Sequence, residues 1–284
     1  MIPKNILGLL CCVILFVAGF ALHTDLALYC NLSALLVVIG GSVGATLISY
    51  RLSRLAIACK VLYSSYRIPV MRAEEIVEIL VDLSVKSRFK GILSLQEEEK
   101  TSILFLRRAL GCLVDGYNQE QIRDILNTEM YFFKTRRDDC ERVFRTMADF
   151  FPSFGLVGSV VGMIGMLSGI RDSLQILATI PIALTSTLYG IVFASFFCLP
   201  FAANLRERTN QELLLQKIIT EGVIAIQGEL DPHVLEIKLK SFLTPSLRAG
   251  RLVSIKRIQE RFGIRAEASS PGTTPAGPAP PAKG

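Results

Sequence analysis

The sequence predicts an all-α, four-span helical membrane protein with a helical cytoplasmic domain. Composition is the first reason: 51% of 284 residues are hydrophobic and only 20% are charged. The mean hydropathy is +0.45, unlike that of an ordinary soluble domain. The second is that four apolar stretches, 6–22, 26–49, 153–170 and 174–203, approach or exceed the length a helix needs to cross about 30 Å of hydrocarbon. The third is charge placement. Of 31 basic residues, 17 fall between positions 51 and 145 and 12 between 206 and 283. Lys and Arg concentrate in cytoplasmic loops, so both termini and the large loop are expected in the cytoplasm.

Taken in order, residues 1–49 read as a transmembrane hairpin. Lys4 precedes an apolar run too long for a signal-peptide core, the cleavage pattern is poor, and a second span follows across His23, Thr24 and Asp25. Residues 50–151 read as a cytoplasmic helical domain. Ile76, Ile79, Leu80 and Leu83 share one face of a helix over 74–85, and Ile103, Leu106 and Leu110 repeat the pattern over 98–113. Asn118 and Gln121 have capping-box spacing. A charged helix over 128–149 follows, with Arg137/Glu141, Asp138/Arg142 and Glu141/Arg145 four apart. It runs straight into the third span, with Pro152 at the joint.

Residues 152–203 hold spans three and four, expected to line an ion path. Residues 204–250 continue as a polar-faced helix and a shorter one after Asp231-Pro232. Residues 251–284 form a basic and then Pro/Gly-rich flexible tail, whose end has too few apolar side chains to order itself.

Several classes of chemistry find no support. Seven cysteines lie scattered, without CxxC spacing or a nearby histidine. His23 and His233 each lack a partner at metal spacing. No GxSxG, Walker loop, HExxH or nucleotide fingerprint appears, so an enzyme is not expected, and neither a cofactor nor a metal is called for. The +6 net charge reads as a topology signal, with no nucleic-acid partner implied.

In the third span Gly155, Gly158, Gly162, Gly165 and Gly169 recur at spacings of three and four, which keeps them on one seam. Close helix packing explains such a seam, and pore lining is compatible with it. Ser159 adjoins the seam, and Thr187 shares a fourth-span stripe with Ala183, Gly190 and Ala194. Carrying a proton or cation through hydrocarbon needs a group that binds and releases it. No span interior contains an ionisable residue. Hydroxyls orient water or coordinate a cation but do not titrate near neutrality. An ion path here therefore requires a carboxylate from a second protein.

The run from Phe151 through Gly162, the run from Ile182 through Gly190, and Pro200 resemble the proton-channel family of the flagellar stator A subunit (MotA) and its relatives TolQ and ExbB. Four spans with a short outer hairpin are similar to the stator branch. The resemblance implies a homopentameric ring in a bacterial inner membrane, around two MotB-like subunits whose single span carries an ion-binding aspartate. It implies that protons or sodium ions drive ring rotation against a flagellar rotor, with Ser159 and Thr187 on the ion path and Pro152 and Pro200 as coupling prolines. The segment containing Arg88, Lys90, Gln96 and Glu97 resembles the rotor contact, with Gln96 where the family has glutamate. An ion-driven transducer serving gliding, envelope transport or defence stays open beside the flagellar reading, as does a passive scaffold or transporter.

Overall fold

The computed structural model describes residues 29–100, 103–168 and 173–243, and six separate helical positions between Gly8 and Gly19. The expected first span, the outer turn with His23, and the tail beyond residue 243 otherwise lie outside the described residues. Among those described there is no β-strand. Three helices are long and apolar enough to cross a membrane: Leu32–Ser49, Gln119–Leu167 and Ala183–Gln227.

Helix α1 (Leu32–Ser49) is capped by Asn31, whose side chain accepts from the Ala34 N–H at 3.2 Å. It therefore starts later than the expected residue 26, because the cap takes up an N–H that would otherwise be orphaned. After Tyr50 and Arg51 comes α2 (Leu52–Arg67), then α3 (Ala73–Lys90). Helix α3 buries Ile76, Leu80 and Leu83 as expected, and Val77, Val81 and Val85 as well, so its buried stripe is wider than the sequence pattern suggests. Gly91, at φ +80°, ends it in a conformation that side chains disfavour.

The expected helix over 98–113 is two elements. Residues Ile92–Lys100 form a 3₁₀ segment, and α4 is confined to Leu104–Val114. The 3₁₀ turn carries Leu95 fully into the core. Helix α5 (Gln119–Ser168) joins the two expected helices and the third span into one rod of 50 residues. Its capping box is reciprocal: the Gln121 N–H donates to Asn118 Oδ1 at 2.8 Å, and the Asn118 N–H to Gln121 Oε1 at 3.0 Å.

Helix α6 (Ser173–Phe193) passes through a π turn at Ala194–Cys198 into α7 (Leu199–Gln227). The end of α7 departs from the polar-faced expectation: every residue from 218 to 226 is buried. Helices α3, α4, the start of α5 and α8 (Pro232–Lys240) enclose it, building a lobe core around Leu80, Leu106, Leu110, Ile122, Ile218 and Leu235. Glu221 sits at the edge of this core. Burial raises its pKa, but the Lys238 ammonium at 2.9 Å, with Lys217 and Arg123 further away, outweighs burial and holds it below 4.5.

One expected ion pair is formed and another is rerouted. Arg145 reaches Glu141 at 2.9 Å. Arg137 instead crosses to Glu212 of α7 at 2.8 Å, and Arg208 joins the same carboxylate at 3.0 Å. A partner on a facing helix wins here because both groups are already largely shielded and fixed by packing.

Candidate ion path and coupling joint

Helices α5 and α6 run antiparallel, and glycine decides how closely. A Cβ at Gly190 would lie 2.5 Å from the Phe151 carbonyl oxygen. One at Gly162 would lie 2.9 Å from the Ala183 backbone, and one at Gly158 would lie 1.9 Å from Ser186 Oγ. The seam expected from Gly155, Gly158, Gly162 and Gly190 is thus a close-packed interface inside one chain. Gly165 is half-buried, and Gly169 lies outside the described residues. Helix α1 covers one flank of this pair: Phe154 lies over Gly41, and Val37 over Gly158. Tyr189 fixes the same flank, accepting from the Asn31 N–H at 2.9 Å and donating to the Tyr29 carbonyl.

Ser159 stands one turn from Gly155, and Thr187 one turn from Ala183. At 100° per residue, on antiparallel helices, both fall on the flank opposite α1. Each is half-buried, and their flank neighbours Leu156, Met163, Leu184 and Ile191 are exposed. This uncovered flank is apolar, free of charge among the described residues, and marked by two hydroxyls. The hydroxyls of Ser42 and Ser186, by contrast, are buried without a hydrogen-bond partner among the described residues. Sequence reasoning passed over them because an isolated serine in an apolar run carries no directional signal.

Pro152 and Pro200 occupy the joint between membrane and lobe. Pro152 lies inside α5 and packs under Gly190. Pro200 follows the π turn, in which the Leu199 N–H reaches the Ala194 carbonyl. A proline has no N–H to donate and crowds the carbonyl four residues back, so the backbone widens there instead of breaking. Around this joint runs an aromatic ladder absent from the expected site. Phe151 stacks on Phe193 at 5.5 Å, Phe193 meets Phe197 at 5.8 Å, and Phe197 meets Phe201 at 6.3 Å, while Phe144 meets Phe201 at 6.1 Å. Its sequence signal is the four-residue spacing of Phe193, Phe197 and Phe201.

The expected rotor-contact residues gather at the far end of the lobe. Arg88 and Lys90 end α3 and, like Gln96, are exposed; the Glu97 side chain lies outside the described residues. Arg88 is engaged, donating to Asp231 at 2.8 Å. The His233 N–H and then Arg88 hold the Asp231 carboxyl below its usual range. Among the described residues no group of His, Cys, Asp or Glu could hold a metal ion.

The fold and this joint define a class: a helical membrane protein whose close-packed helix pair continues as long helices into a helical lobe. Residues 97–217 match the MotA/TolQ/ExbB proton channel family. The chain is 28% identical over 245 residues to the chemotaxis protein PomA of Vibrio alginolyticus, covering 86% of this chain and 96% of that protein. It is 31% identical over 227 residues to motility protein A of Borreliella burgdorferi, covering 80% and 87%. A solved structure of the flagellar MotAB stator complex from Bacillus subtilis superposes with a TM-score of 0.80 at 25% identity, over 86% of this chain and 96% of that one. The chain belongs to the MotA/TolQ/ExbB proton channel family.

Proposed function

We propose that this chain is the ion-channel and torque-generating A subunit of a flagellar-type stator, set in a bacterial inner membrane by four spans with both termini in the cytoplasm. Five copies ring two copies of a MotB-like single-span subunit, whose membrane aspartate takes up and releases a proton. The uncovered flank carrying Ser159 and Thr187 faces that aspartate and hydrates its ion. Each protonation changes which flank the partner prefers, and the ring turns by one step. The observation that carries this reading is the hydroxyl-bearing, charge-free flank opposite α1, which can house an ion but has no side chain to carry one.

Rotation reaches the lobe through α5 and α7, which cross the joint without a loop. At the lobe's end, Arg88, Lys90, Gln96 and Glu97 form the rotor contact. The Arg88–Asp231 pair favours keeping a second reading, in which the same ring drives gliding, envelope transport or defence. A rotor that needs that guanidinium must displace Asp231.

Purification from native membranes tests the proposal. A single-span protein with a membrane aspartate is expected to accompany this chain in substoichiometric amount, and Thr187→Ala is expected to reduce ion flux and force at least tenfold while leaving the complex assembled. Recovery of this chain alone, or an unchanged flux in both Thr187→Ala and Ser159→Ala, would overturn it.

A further inference from the structure

Helix α2 ends beside α7, where Ser65 donates to Asn204 Oδ1 at 3.0 Å. The connection 68–72 that follows therefore runs along α7 before α3 begins. Val70 and Met71 of that connection, with Leu214 and Leu215 of α7, line a groove of about 460 Å³ that has Glu74 among its walls. It is apolar and uncovered: Met71 is 39% exposed and Leu214 40%.

The described chain ends close to this groove. Helices α3 and α7 run parallel, since Gly222 lies against Leu80, and Arg88 at the end of α3 lines a pocket with Ile226. Helix α8 starts beside Arg88 through the Arg88–Asp231 pair and climbs back against both, bringing Lys238 to Glu221 at 2.9 Å. Its nine residues rise about 13 Å. Leu243, buried in the lobe core, is thereby left within about two helical turns of Leu215. Residues 244–251 come next, and when extended they reach up to about 30 Å.

What that reach delivers matches the groove in polarity and in charge. Leu252, Ile255, Ile258 and Phe262 repeat at spacings of three, three and four, which would place them on one side of a helix, with Lys256, Arg257 and Arg261 off that side. Between residues 244 and 262 the one acid is Glu260. The groove is edged instead by acids: Glu74 and Glu78 stand four apart on one face of α3, and Glu78 is exposed. Arg72 is the one cation among the lining residues, and Lys217 nearby is engaged with Glu221 at 3.5 Å.

We infer that residues 252–262 dock as an amphipathic helix into the groove between connection 68–72 and α7 of their own chain. Their apolar side covers Met71 and Leu214, and their cations turn toward Glu74 and Glu78. A segment held there ties the link between α2 and α3 to α7, below the joint at Pro200. The inference rests on the lobe and is independent of the ion path. Loss of flux in Thr187→Ala therefore bears on the proposed function and not on this surface.

The test places photoreactive p-benzoylphenylalanine at position 258 of the full-length chain, expressed with its native partners, and maps adducts formed in intact membranes by mass spectrometry. Adducts on residues 70–74 and 211–215 are expected, migrating as a single chain on a denaturing gel. Leu214→Ser is expected to lower their yield by about fivefold, and the double change Glu74→Gln, Glu78→Gln by about threefold at low salt. Ile237→Ser, at an exposed apolar position of α8, is expected to change nothing. Adducts that migrate as crosslinked dimers would assign the groove to a second copy's tail, and adducts on lipid would assign the tail to the membrane surface. Either result, the lack of any groove adduct, or an equal loss in Ile237→Ser overturns the inference.

Discussion

At Gly190 a single hydrogen decides whether α5 and α6 can touch. The carbonyl oxygen of Phe151 stands 2.5 Å from where a Cβ would be, and backbone cannot swing away as a flexible side chain can. Gly190→Ala is expected to destabilise the helix pair by about 1–3 kcal/mol, seen as a lower melting temperature in detergent. Gly222→Ala, which meets the movable end of Leu80, should cost less. Glu221 supplies a pH-dependent counterpart. Its pKa is lowered on folding, so its contribution is fully present above about 4.5 and is lost as pH falls through the folded value. Wild-type stability should therefore fall more steeply with acidification below pH 4.5 than that of Glu221→Gln, as thermal melts across pH 3–7 would show.

At the scale of elements, the proposed coupling joint rests on a chemical constraint. A helix with a π turn at one end of a proline and an aromatic ladder along its side has a defined place to bend. Pro200→Ala restores the missing N–H and removes the crowding that favours the wide turn. It is expected to leave assembly and ion flux near wild type while reducing torque, measured as bead rotation speed at matched ion-motive force. Equal losses of flux and torque would make the proline a packing residue. Part of this was legible beforehand: the capping box at Asn118 is a local pattern and forms as expected, and the close approach at Gly155, Gly158, Gly162 and Gly190 follows from small residues at helical spacing, while the coupling role of the two prolines is a proposal. The meeting of Phe144 and Phe151 with the Phe193–Phe201 row, the rerouting of Arg137 to Glu212 and the burial of residues 218–226 were not legible. Each depends on what a distant segment brings to the same place.

For the molecule as a whole, the proposed division of labour between a charge-free wall and a partner's carboxylate makes a sharp expectation. Vesicles containing this chain alone are expected to show proton permeability no greater than empty vesicles, read by a pH-sensitive dye after an imposed gradient. Adding the partner should raise it, and adding a partner with asparagine in place of the membrane aspartate should not. Composition, the one-sided placement of Lys and Arg, and the lack of any Asp, Glu, Lys, Arg or His within the spans already set this expectation, because partition into hydrocarbon and the cost of charge there depend on residue type and run length alone. Which flank of the α5–α6 pair is left open, where α2 lies, and what surrounds Glu221 were decided only by the tertiary structure. Those outcomes turn on helix contacts between segments far apart in the chain, whose geometry no local pattern encodes.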